Sequence, residues 1–400
     1  MRDRTRDLER LADLLVGFGS NLQPGQILAI TAYHEMADLV RAVARAAYGR
    51  GARWVDVLWF DTLVKRTRLE LAPEDSLEFV PPWIGDRMRW LSDVHAARVS
   101  LTGSDSTIFD GIDPVRMGRD LLPYVKEVPE VVNARTTNWT AGPCPNQRWA
   151  ERVHPELSPD EALDKLWDEI VHVLRLDAAD PVEAWRTRMD AILASADRMT
   201  ERRFDALHLR GPGTDLTIGL LPSSTWLGAS FTTAEGLTHY PNLPTEEIFT
   251  TPDPERVDGH VSATMPLDLY GSFMDGIRIE FERGRAVKAD ADTGADALRA
   301  TLARDDGASR LGEIALVDRE GRIGPLGTVF YQTLLDENAA SHIALGNAYT
   351  FPVEDEADRA RVNVSGIHVD FMIGSNEVDV DGLTRDGERV PVLRSGTWQI

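Results

Sequence analysis

The chain of 400 residues has one cysteine, Cys144. No intrachain disulfide can form, so nothing in its thiol content marks an oxidising compartment, and no paired-thiol zinc site can be built from one chain. Any metal must be held by oxygen and nitrogen donors. Long apolar runs are missing too: nowhere do about 18 uncharged apolar residues follow one another. The amino-terminal MRDRTRDLERLADLLVGFG spreads its charges throughout instead of placing an apolar stretch behind a basic one. A soluble, cytoplasmic protein without membrane contact is expected. Basic charge is in deficit, with 43 Lys and Arg against 65 Asp and Glu and a net charge of −22. A field of that sign repels nucleic-acid phosphates and anionic lipid surfaces alike, so nucleic acid is not an expected partner. There is no Gly-x-Gly-x-x-Gly fingerprint or Walker loop to suggest a nucleotide, no Gly-x-Ser-x-Gly elbow to suggest a serine nucleophile, and no internal repeat.

What is present suffices for ordinary cores. A hydrophobic fraction of 42% with ten Trp, over a length that exceeds what one core usually covers, points to two domains, 1–200 and 201–400. The first half alternates helix and strand. Leu8, Leu11, Leu14, Leu15 and Phe18 recur at helical spacing, GQILAITA is a short apolar strand, HEMADLVRAVARAAYGRGA is an amphipathic helix, and WVDVLWFD and ARVSLTGSD are further strands. A helix is expected around VRMGRDLLPYV, residues 115–125. This pattern predicts a Rossmann-like α/β domain with a parallel sheet. SPDEALDKLWDEIVHVL opens on a capping box, Ser158 three residues before Glu161. Beyond residue 200 the texture changes to short apolar runs broken by Gly, Pro and Asp, which predicts a mostly antiparallel β domain with helices, one of them near GADALRATLARDD. The fold class is therefore α/β plus α+β.

Polar donor residues gather in that second half. YPNLPTEEIFTTPD offers Glu246 and Glu247, LGEIALVD offers Glu313, and LLDENAASHIALGNAYTFP offers Glu337, His342 and Tyr349 in a small, apolar setting without Lys or Arg. GIHVDFMIG sets His368 and Asp370 two apart, on one face of an extended segment. Taken alone, that pair reads equally well as a chelating pair or as a core histidine satisfied by its neighbour. Together, Glu247, Glu313, Glu337, His342, His368 and Asp370 are too many donors for one zinc but suit two divalent ions about 3.5 to 4 Å apart. Glu246, beside Glu247, is available for proton transfer. His239 and His260 border the glutamate segment and are weaker candidates, more commonly core or surface histidines. Cys144, between two prolines, reads as structural.

NLPTEEIFTTPDPERVDGHVSATMPL, FYQTLLDENAASHIALGNAY and GIHVDFMIGSNEVDVDG resemble peptidase family M29, a family of metallo-aminopeptidases. NWTAGPCPNQRWAERVHP carries the resemblance into the first half, so it spans nearly the whole chain. The resemblance implies an aminopeptidase acting on small peptides, with two metal ions, zinc or cobalt, for which manganese or magnesium can substitute. It places the ligands on Glu247, Glu313, Glu337, His342, His368 and Asp370, the active-site tyrosine on Tyr349, and the chain in a homodimer. One departure stands out: the connection TFPVEDEADRARVNVSGI between Tyr349 and His368 is shorter than the family's usual one. Other readings compete. A related mononuclear Fe(II) dioxygenase of the 2,5-dihydroxypyridine type would use His342, His368 and Asp370 alone, leaving the glutamates without a role. A non-peptide amide hydrolase on the same fold, and a binding protein that has lost turnover, are the remaining alternatives.

Overall fold

A computed structural model describes residues 4–400, apart from 104, 105, 121, 124, 270 and 271. The chain forms two compact units, Met1–Arg188 with Ala229–Thr245, and Met189–Gly228 with Glu246–Ile400. No helix among the described residues is long and apolar enough to cross a membrane.

The first unit is built on a parallel four-stranded sheet in the order Trp54–Phe60, Ile27–Tyr33, Ala97–Thr102, Asn138–Pro143. Parallel neighbours need crossover connections, and the helices expected from periodicity supply them. Ala37–Gly49 buries Leu39, Val40, Val43 and Ala47, and Pro82–Asp93, opened by a proline in its first turn, buries Ile84, Met88 and Leu91. The expected helix over 115–125 is confined to Pro114–Arg119; residues 121 and 124 lie outside the described residues. The helix ends because Asp120 takes extended backbone, φ −96° and ψ 93°. The predicted capping box is formed: Ser158 and Glu161 bond reciprocally at the head of Pro159–Val173.

The second unit carries two large antiparallel sheets and a two-stranded one, Leu267–Leu269 with Ser272–Met274. The eight-stranded one runs Arg285–Asp290, Arg278–Glu282, Pro252–Ser262, Thr214–Leu220, Ala206–Gly211, Asp379–Leu383, Arg389–Arg394, Thr397–Trp398. The five-stranded one runs His368–Met372, His342–Gly346, Leu311–Val317, Glu247–Thr250, Leu227–Gly228. On one face of the five-stranded sheet Ile248, Ile314, Leu316, Ile343, Leu345, Val369 and Phe371 are all buried, which anchors its strands in the core. The chain is thus a mixed α/β protein with one parallel sheet and several antiparallel ones. The helix expected near GADALRATLARDD is present as Ala295–Leu302.

Candidate metal centre

The other face of the five-stranded sheet collects the candidate donors, and strand register shows how. His342 stands opposite Ala315 on one side and Met372 on the other, and Ala315 stands opposite Phe249. Ala344 stands opposite both Glu313 and Asp370. Side chains alternate along a strand, so Glu247, Glu313, His342, His368 and Asp370 project from the same face.

Glu313 stays in alternation with Ala315 and Val317 on that face, and an irregularity comes just before it. Leu311 pairs with Leu345 on the core side, out of step with Glu313. One extra residue, Gly312, sits between them and shifts the register. Such a bulge reverses which face the next side chain takes. A Cβ at Gly312 would lie 2.4 Å from the carbonyl oxygens of Gly346 and Asn347, so only glycine fits.

Glu337 arrives from a different element, the residue capping the short helix Thr333–Asp336. Its neighbour Asp336 instead braces the backbone. Buried, it accepts hydrogen bonds from the backbone N–H groups of Phe330 at 2.8 Å and Gln332 at 3.0 Å. Asn338 accepts from the Glu246 N–H at 2.6 Å and donates to the Leu334 carbonyl at 3.0 Å, tying the helix to the strand that carries Glu247.

Within the cluster, His342 Nε2 is 3.1 Å from Glu247 Oε2 and 3.8 Å from Glu313 Oε1, while His368 Nε2 is 3.3 Å from Asp370 Oδ1 and 3.8 Å from Glu313 Oε2. Glu247, Glu313 and His342 each offer a donor atom within 4.8 Å of the others. Both rings are oriented from behind. His368 Nδ1 is 2.7 Å from the Asn347 carbonyl and His342 Nδ1 is 3.3 Å from the Ala340 carbonyl. A carbonyl can only accept, so Nδ1 carries the proton and Nε2 is left facing the carboxylates.

The electrostatics are those of crowded donors. Burial, reinforced by Glu313 and Asp370, pushes the Glu247 carboxyl up to about 8 against the pull of His342. Burial, then Asp370, Glu247 and Glu313, likewise raises Glu337 well above the carboxylate range. Burial opposes charge on the two imidazoles, but the surrounding carboxylates outweigh it, holding His342 well above its usual range and His368 up to about 10. For Asp370 burial is overcome by His368, which keeps the carboxyl below its usual range. Glu247 Oε2 is buried and accepts no hydrogen bond, although His342 stands beside it. Buried carboxylates that repel one another and leave a lone pair unmatched suit a divalent cation. The residues present fit a metal.

Tyr349 lies over the same face. Its ring centroid is 5.9 Å from Phe249 and 6.0 Å from His368, and its carbonyl accepts from Thr251 Oγ1 at 2.7 Å. Burial, then the nearby carboxylates, raises its phenol well above the usual range, so it stays protonated. Glu246 is buried next to Glu247 with its carboxylate against Gly321 and the Arg322 backbone N–H.

This donor pattern has counterparts among known proteins. A model of the family described as thermophilic metalloprotease (M29) matches residues 4–398. The chain belongs to the M29 family. It is 43% identical over 404 residues to aminopeptidase T of Thermus aquaticus, covering 99% of both chains, and 38% identical to aminopeptidase PepS of Streptococcus thermophilus, covering 98% of both. Wild-type AmpT from Thermus thermophilus matches in structure with a TM-score of 0.91 at 43% identity, covering 99% of each chain. This M29 chain is a metalloaminopeptidase, a hydrolase; these relatives give the dioxygenase alternative no support.

Of the weaker candidates, His239 is buried in the first unit, His260 is exposed on the eight-stranded sheet, and Cys144 is buried, its thiol pushed up to about 12 by burial. Sequence reasoning passed over Gly312, Ala344, Asn338 and Asn347, which shape the face without donating a charged group to it. The only signal for them was proximity, since three of the four lie within the histidine segment DENAASHIALGN.

Proposed function

We propose that this enzyme removes amino-terminal residues from small peptides at the carboxylate–histidine face, with two divalent metal ions held by Glu247, Glu313, Glu337, His342, His368 and Asp370. Zinc or cobalt is the expected occupant, with manganese or magnesium as substitutes. The observation that carries this reading is the convergence of five donors on one sheet face around an unmatched buried oxygen, Glu247 Oε2. Four ionised carboxylates carry the charge that two dications neutralise, and one zinc has no use for six donors. Bound there, the ions would lower the pKa of a water, polarise the scissile carbonyl and anchor the free amino group.

The chain's own groups do the rest. The carbonyls of Asn347 and Ala340 hold the two imidazoles with Nε2 forward. Tyr349, protonated at neutral pH, donates its phenolic hydrogen to the oxygen on which negative charge develops. We assign proton transfer to the leaving amine to Glu246, buried beside Glu247 and held by the Arg322 N–H.

In this reading residues 201–400 are the catalytic domain and residues 1–200 a Rossmann-like domain. The all-parallel order of the first unit's sheet and its helical crossovers support the latter. The enzyme works as a cytoplasmic homodimer. The test is metal removal by chelator, followed by addition of Zn, Co, Mn or Fe(II). Assays should compare an aminoacyl anilide, the same anilide with its amino group acetylated, and dihydroxypyridine under oxygen. Rescue by Zn or Co on the free-amine substrate, with two ions bound per chain, is the expected result. Activity restored by Fe(II) alone on the ring substrate, or equal activity on the acetylated anilide, would refute the reading.

A further inference from the structure

The parallel sheet of the first unit carries a charge of opposite sign. One row across its strands reads Asp56, Ala29, Arg98, Trp139. Asp56 is already engaged by Arg87, with Nε at 2.6 Å and Nη2 at 2.5 Å. Arg98 is separated from it by the strand that carries Ala29. Arg98 Nη1 is buried and makes no hydrogen bond, and neither does Thr102 Oγ1, buried four residues along the same strand and on the same face.

Among the described residues, no carboxylate forms an ion pair with the guanidinium. Burial lowers the Arg98 pKa to about 10, and Arg87 adds to the effect. His239 is close enough to feel Arg98 and is itself held neutral, lowered to about 4 chiefly by burial. Arg98 is half-buried overall, but a guanidinium nitrogen cut off from water without a counter-charge is costly for a fold to keep. The face is nevertheless open to ligands: Thr31, Leu58, Ser100 and Ala141, next along the strands on this side, are only half-buried. Trp139 forms an aromatic wall with Phe231 and His239, ring centroids 6.1 to 6.2 Å apart.

We propose that this face of the parallel sheet binds a small carboxylate bearing an apolar or aromatic group. Its two oxygens lie on the Arg98 guanidinium and its apolar part against Trp139. The planar fork of a guanidinium matches a carboxylate with two parallel hydrogen bonds. In a chain of net charge −22, an unmatched cation beside an aromatic wall selects for one small anion rather than an anionic surface. The site is independent of the metal centre, and the proposal stands or falls separately from it.

Isothermal titration of the full-length, metal-loaded chain tests it. The probes are N-acetylphenylalanine, 3-phenylpropanoate, N-acetylphenylalaninamide and inorganic phosphate, each repeated on Arg98→Met and Arg98→Lys. The two acids distinguish a peptide terminus from a simple organic acid, and Arg98-dependent binding of either supports the proposal. Expected is binding of acid but not amide, weakened about tenfold or more in Arg98→Met and by less in Arg98→Lys. If circular dichroism shows Arg98→Met unfolded, Arg98→Lys, which keeps the charge but loses the fork, decides the matter. The proposal is overturned if neither acid binds the parent chain, if acid binding is the same in the folded variants, if the amide binds as well as the acid, or if phosphate binds more tightly than either acid.

Discussion

Glu313 and Asp370 face each other across Ala344, each its direct partner on a neighbouring strand, so that only a methyl group separates the two carboxylates in that row. Cross-strand neighbours on one face lie about 4.5–5.5 Å apart at Cβ, which leaves room between the carboxylates for an ion but not for a larger side chain. Ala344→Leu is therefore expected to exclude metal. The overpacked variant should still fold, at a cost of about 1–3 kcal/mol. Elemental analysis beside a thermal melt checks this, and a folded variant retaining the parent's metal content would show that the gap is not where metal sits.

The histidine–aspartate pair at 368 and 370 and the segment from Asp336 to Tyr349 were legible because strand periodicity is local and small apolar residues around carboxylates are conspicuous. The parallel strands were legible for the same reason, as runs of Val, Ile, Leu and Trp between helical stretches. Glu313 was legible as a donor, but the run LGEIALV is buried on both faces and shows no alternation to give its direction. The bulge at Gly312, which turns Leu311 to the other face, sits where the Gly346 and Asn347 carbonyls leave no room for a Cβ. That is a non-local fact. The membership of Ala229–Thr245 in the first compact unit was equally hidden, since its bonds join distant residues, such as the Tyr240 N–H to the Gly19 carbonyl. Arg98 gave no signal at all, because a lone arginine in a strand shows its lack of a partner only in three dimensions.

Asp336 and Glu337 are adjacent acids with separable roles. Asp336 receives two backbone N–H groups, so Asp336→Ala leaves buried donors unmatched and should destabilise the chain by about 1–3 kcal/mol. Glu337→Gln is isosteric and removes a charge from the crowded cluster, so stability without metal should hold or rise while metal content falls. Urea unfolding of chelated protein together with metal titration separates the two. Equal destabilisation by both substitutions would contradict the assignment.

His239 makes stability depend on acid. Its pKa in the fold is lowered to about 4, so as pH falls below the ordinary histidine value of about 6.5 the unfolded chain takes up a proton that the folded chain refuses. The unfolded state then binds more protons, and stability is lost from about pH 6.5 down to about 4, by up to about 3 kcal/mol. His239→Gln should flatten the fall in the urea midpoint over pH 6.5–5, where ordinary carboxylates remain ionised. An unchanged slope would show that His239 is protonated in the fold.

Tyr349 and His342 separate chemistry from metal binding. Tyr349 stays protonated over the donor face and is wedged between the Phe249 and His368 rings, contacts that phenylalanine would reproduce. Tyr349→Phe should fold normally and keep both ions. Turnover should fall ~10²-fold or more, the loss of one donor to a developing oxyanion, with KM little changed. His342 is buried among Glu247, Glu313, Asp370 and Glu337, so His342→Ala removes a nitrogen donor from the metal site and, in the chelated protein, the positive charge that balances those carboxylates. Metal content should fall with it. Stability of the chelated protein should drop as well, since breaking a buried charge network typically costs about 3–5 kcal/mol. Metal analysis, peptide hydrolysis and urea unfolding on the same preparations give three readouts for two variants. Near-parental turnover in Tyr349→Phe would remove the phenol from the mechanism, and two ions retained in His342→Ala would remove the imidazole from the metal site.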